Sequence, residues 1–74
     1  MTSSEKKVRD YMSKNLTKEQ ILDCSAQAIT MNIMFGYVPF DEHGCGSPDD
    51  LDESGEEYYD TLYEYVCRVK KENY

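Results

Sequence analysis

The apolar residues Leu51, Tyr58, Leu62, Tyr65 and Val69 recur at the three-and-four spacing of a helix stripe, and Gly55 stands where one further member would fall. At about 100° per residue, Asp49, Glu53, Glu56, Asp60 and Glu64 fall roughly opposite that stripe, while Asp52 and Glu57 flank them. The stretch from Ser47 to Lys71 therefore reads as one long amphipathic helix, apolar on one side and acidic on the other. A stripe of this kind needs a partner, so the rest of the chain has to supply elements that cover it. Ser47 and Pro48 give an N-cap and a first-position proline in the favoured order. Ser54 with Glu57 forms a further capping box, and Gly55 costs about 1 kcal/mol inside a helix relative to alanine. The helix over 48–71 is thus either continuous or broken near Gly55.

Upstream, Ser3 or Ser4 can cap a short helix over 4–15, with Val8, Tyr11 and Met12 as a narrow apolar stripe. Its other faces are basic and polar, which makes it a cover for one edge of a core. Thr17 with Gln20 then reads as a capping box, and Leu16 with Ile21 as its hydrophobic staple. A second helix follows over 18–35 and stops at Gly36. It carries two apolar stripes, Ile21, Cys24, Ala28, Met31 and Phe35 on one line and Leu22, Ala26, Ile29 and Ile33 on the other. So wide an apolar surface predicts a central position, between the first helix and the long acidic one. It also leaves a homodimer open, because the short first helix is too narrow to cover the second stripe.

Between the helices, residues 36–47 read as a loop. Val38 before Pro39 is pushed out of the helical region, Phe40 is expected to tuck under the core edge, and Asp41 to Gly46 has almost no apolar content. The expected architecture is an all-α, three-helix single domain with a long acidic C-terminal helix.

Charge separates the candidate functions. The 74 residues hold 15 Asp and Glu against 8 Lys and Arg, a formal −7. Residues 1–18 carry five bases and two acids, whereas residues 41–64 carry ten acids and no base. A nucleic acid is excluded as a direct ligand, because affinity for phosphates requires a basic patch. Nothing approaches the roughly 18 apolar residues of a spanning helix, and the N-terminus does not read as a signal peptide, so a cytoplasmic protein without membrane contact is expected. Three widely spaced cysteines, Cys24, Cys45 and Cys67, fit free thiols better than a secreted disulfide framework.

Three chemistries fall short on spacing. Asp50, Asp52, Ser54 and Gly55 fit the first half of an EF-hand loop, but Thr61 stands where the bidentate glutamate belongs. His43 and Cys45 form one loose pair where a structural zinc site shows two. The same pair lacks the held geometry that a cysteine nucleophile and its base require. No metal, no cofactor and no enzymatic activity are expected.

What remains is a binding surface. Tyr59 and Tyr63, four positions apart, project between the core and the acidic side, where they either broaden the core or serve as aromatic anchors of an interface. The candidate partner-binding residues are Asp49, Asp52, Glu53, Glu56, Glu57, Tyr59, Asp60, Tyr63 and Glu64. In size, acidity and cysteine usage the chain is similar to small inhibitors that phages encode against host nucleic-acid enzymes or defence systems, some of which mimic DNA. That likeness covers no motif and carries no residue across. It implies inhibition, in a host cytoplasm, of a protein with a basic surface such as a nucleic-acid-binding enzyme or defence complex. The other reading is a small adaptor or subunit that self-associates or docks through apolar helix faces, its acids serving solubility alone.

Overall fold

The computed structural model describes residues 2–43 and 48–73. The fold is all-α: α1 (Ser3–Asn15), α2 (Lys18–Asp23), α3 (Ala26–Phe35) and α4 (Glu53–Glu72), with a single 3-10 turn over Pro48–Asp50 and no strand among the described residues. Each start is set by a side-chain cap. Thr2, one residue ahead of the expected serines, accepts from the Glu5 amide. The Thr17 and Gln20 capping box forms in both directions, at 2.8 and 3.2 Å. Gly36 ends α3 in the left-handed region at φ 68°, where a side chain would be strained.

The expected second helix is two helices. Cys24 and Ser25 leave the helical region, and Ser25 caps α3 by accepting from the Ala28 amide at 3.1 Å. The last carbonyls of α2 are satisfied from a distant part of the chain. Lys70 of α4 donates to the carbonyls of Ile21, Leu22 and Cys24 at 2.6, 3.1 and 2.6 Å. A cation among unpaired C-terminal carbonyls also complements the negative end of the α2 dipole.

The centre of the molecule is α4, a second difference from the expected arrangement. It packs mainly against α3 and α1 and touches α2 more lightly, whereas α1 and α3 touch each other only slightly. The core joins Val8, Tyr11 and Met12 of α1 with Leu16, Ile21, Ala26, Ile29 and Ile33 and with Leu62, Val66 and Val69 of α4. Full burial of an aliphatic side chain such as Ile29 or Leu62 contributes about 1.5–3 kcal/mol. Of the second stripe of 18–35, Ala26, Ile29 and Ile33 are buried and Leu22 is partly buried within one chain. Val66, fully buried, belongs to the α4 stripe beside Tyr65. Phe35, expected on an apolar stripe, is exposed.

The segment after α3 is tied back by polar bonds. The buried Asn32 carboxamide donates to the Asp41 carbonyl and accepts from the Asp41 amide, both at 2.9 Å, while the Tyr11 hydroxyl donates to the Tyr37 carbonyl. Phe40 packs against the core as expected. The expected Ser47 cap lies outside the described residues.

Candidate functional site

The acidic surface begins where the 3-10 turn hands over to α4. The break falls at Leu51 and Asp52 rather than at Gly55, which is helical. Asp52 is the N-cap, its Oδ1 accepting from the Gly55 amide at 2.7 Å, so the Ser54 and Glu57 box is not the start signal. This also removes the EF-hand geometry, since that loop needs its sharp turn at the position Gly55 occupies. Glu53 and Glu56 sit in the first turn, where the positive end of the dipole favours them. Part of the acidic bias is thereby structural.

Asp49, Asp52, Glu53, Glu56, Glu57, Asp60 and Glu64 are all exposed. They are not equivalent. Asp52 is engaged as the cap, and Glu64 is paired with Arg68 at 2.9 Å. Glu53, Glu56, Glu57 and Asp60 form no ion pair among the described residues. Two bases of α1 are engaged elsewhere. Arg9 bonds Glu5 at 2.9 Å and both carboxylate oxygens of Glu72 at 2.7 and 3.0 Å. Lys7 donates to the Tyr58 hydroxyl at 2.7 Å and stands 5.2 Å from the centre of its ring. The acids from Glu53 to Asp60 therefore face solvent without an ion pair among the described residues. A shallow depression lined by Asp52, Glu53, Ser54 and Glu57 opens at the start of this strip.

Tyr59 and Tyr63 form a tilted ring pair, with centroids 5.7 Å apart and planes at 32°. Tyr63 is exposed and Tyr59 half-buried. Burial pushes the Tyr59 phenol above its ordinary value of 10.0, and neighbouring Tyr63, Asp60 and Cys67 push the same way. At about 100° per residue both rings lie on the same side of α4 as Lys70, whose ammonium reaches the α2 end. The pair thus borders the acidic strip on the flank facing α2 and α3. Tyr58 and Tyr65 serve the opposite flank and pack against the core, their hydroxyls accepting from Lys7 and from Thr2 at 3.1 Å.

A second depression is lined by Thr17, Glu19, Gln20, Asp23, Cys24 and Glu42. Its Cys24 thiol is pushed up by burial first and by the charge of Glu42 next, the direction opposite to an activated nucleophile. Cys24 and Cys67 are free thiols, and Cys45 lies outside the described residues. His43 is exposed, its amide donating to Asp41. Among the described residues no group of three or more His, Cys, Asp or Glu side chains is placed to hold a metal ion.

Two features of the surface carried no signal in the spacing of residues. Lys70 looks like an ordinary base near a helix end until its partners are seen. Phe35, Tyr37 and Val38 stand exposed around the α3 end, Phe35 against its expected place on an apolar stripe and the other two in the segment expected to be a loop. Compared with known protein families, with curated proteins and with solved structures, the chain shows no significant match.

Proposed function

We propose that this protein binds a partner bearing a basic surface through the acidic strip of α4, and that it inhibits that partner by occupying a nucleic-acid-binding groove. The observation that carries the reading is the row Glu53, Glu56, Glu57 and Asp60, exposed and without an ion pair among the described residues, beside the Tyr59 and Tyr63 pair. From Glu53 to Glu64 the row spans about 16 Å at 1.5 Å per residue. Duplex DNA of that length carries about ten phosphates, one per 1.7 Å of axis. Counted with Glu64, which Arg68 pairs, the row holds five acids, about one strand's worth, so a single chain fits one wall of a groove and not its whole width. The partner class is a nucleic-acid-binding enzyme or defence complex met in a cytoplasm, as for a phage-type inhibitor. No helix among the described residues is long and apolar enough to cross a membrane.

The experiment is competition between the full chain and duplex DNA for a DNA-binding protein of low sequence specificity. Displacement of the DNA should be strong at low salt and fall steeply toward moderate salt, as contacts between exposed charges do. Failure to displace DNA even at low salt would remove mimicry.

A second reading, docking as a small subunit through apolar surface, is favoured by one observation, the exposure of Phe35, Tyr37 and Val38. Binding that persists unchanged as salt rises would select it.

A further inference from the structure

The segment after α3 presents apolar side chains outward while being held in place from within. Phe35, Tyr37 and Val38 are 53%, 44% and 70% exposed, more than Tyr63 at 39%, the other exposed large hydrophobic among the described residues. Loose chain often exposes such residues, but this stretch is not loose. The Gly36 amide bonds the carbonyls of Asn32 and Ile33, and the Tyr37 amide bonds that of Asn32 at 3.0 Å. The Tyr37 carbonyl is fixed by the Tyr11 hydroxyl, and Asp41 by the fully buried Asn32 side chain. Phe40 of the same stretch packs, partly buried, against the core, while Phe35, Tyr37 and Val38 stay exposed. Apolar groups ordered in advance give up little conformational entropy when a partner covers them.

Charge selects what that partner is. From Glu19 to Cys67 the chain contains no Lys or Arg, and Glu19, Asp23 and Glu42 are exposed on the neighbouring elements. A second copy placed symmetrically on this hook would face acid with acid at a net −7 per chain. An apolar recess rimmed by bases faces no such penalty. We infer that Phe35, Tyr37 and Val38 are a second contact on the basic protein held by the acidic strip of α4, inserting into an apolar recess of that same partner. The inference rests on the acidic-strip reading and deepens it, since a mimic with an apolar hook recognises a protein beyond its phosphate-binding charges.

Two synthetic peptides of equal positive charge test it against the full chain at physiological salt. One is an amphipathic helical peptide of Leu and Lys, about 30 Å long at twenty residues, long enough to reach across a molecule 31 Å in its greatest extent. The other is an oligolysine. The Leu and Lys peptide should bind about tenfold or more tightly, the size of a lost anchor contact. The double change Phe35→Ser and Val38→Ser should bring it down to the oligolysine level while leaving the helical circular dichroism intact. Equal binding of the two peptides, or unchanged binding to the double variant, would overturn the hook and leave the acidic strip standing. Binding of neither peptide would overturn both.

Discussion

The ammonium of Lys70 donates to the carbonyl oxygen of Cys24 at 2.6 Å, across 46 positions of sequence, and closes the end of a helix it does not belong to. With Ile21 and Leu22 it satisfies three carbonyls at the point where the chain turns from α2 into α3. Hydrogen bonds from a charged donor contribute more than neutral ones, and here the donor is only half-buried. Lys70→Met keeps the stem and removes the charge, and should cost about 1–2 kcal/mol. Thermal unfolding should report a drop of several degrees, and the amides of α2 should lose hydrogen-exchange protection before those of α1. Uniform loss of protection across the molecule would contradict the local role.

Asn32 holds the segment after α3 by pairing with both backbone groups of Asp41 from a fully buried position. Asn32→Ala leaves that amide and carbonyl without their partner and opens space, so about 2 kcal/mol of stability should be lost. At about 4–8 °C per kcal/mol for a domain of this size, the melting temperature should fall by roughly 10 °C. Tyr11→Phe removes the bond to Tyr37 and should cost about half as much. A neutral Asn32→Ala would mean that the tie is incidental.

The pairing of Arg9 with Glu72 makes a small part of the stability depend on pH. The hydrogen bond from Arg9 holds the Glu72 carboxyl below its ordinary 4.5, against a smaller opposing effect of burial and with further help from the Arg9 charge. A carboxylate whose folded value is depressed stabilises the fold fully above its unfolded value and ceases to do so as pH falls through the folded one. Glu72→Gln should therefore lower stability slightly in the neutral region, where the charged pair contributes, and flatten the acid limb of the unfolding curve below about pH 4.5, so that parent and variant converge at low pH. An acid limb identical in parent and variant would refute this assignment.

Tyr59 and Tyr63 should act on the complex differently from the acids. Anchor contacts are short-ranged, whereas charges steer the encounter. Tyr59→Ala and Tyr63→Ala are expected to raise the dissociation rate of a bound basic protein about tenfold, with the association rate nearly unchanged. Surface plasmon resonance separates the two. A slower association with unchanged dissociation would place the tyrosines outside the interface.

Much of the fold is legible locally. The Thr17 and Gln20 box, the Gly36 stop and the polarity of α4 follow from neighbours within four residues, and the structure keeps them. The break at Ser25 was not legible, because serine amid Cys24, Ala26 and Ala28 looks like a small residue inside a continuous helix. What makes the break stable is Lys70, and no local pattern announces a partner so far along the chain. The same holds for the choice of centre. The two stripes of 18–35 suggested a buried middle helix, but α4, with Leu62, Val66 and Val69 buried along one line, is the element all the others share. Phe35 was misleading for a further reason, since an outward apolar residue and a core residue have the same letter. The exposure of the acids along α4, by contrast, follows from the helix period, and Glu64 is partly cancelled by an ion pair.

The central claim is that α4 binds through its unpaired carboxylates, and charge reversal tests it most directly. Glu53→Lys, Glu56→Lys and Asp60→Lys together change only exposed side chains. Reversal at Glu53 and Glu56 weakens the favourable dipole at the α4 start by about 1 kcal/mol in all, too little to unfold the helix. The measurement is the affinity of the parent and the triple variant for one basic DNA-binding protein at physiological salt, with circular dichroism of both chains. The account predicts unchanged helix content and no measurable binding by the variant. A triple variant that binds as tightly as the parent would contradict it and leave docking through apolar surface in its place.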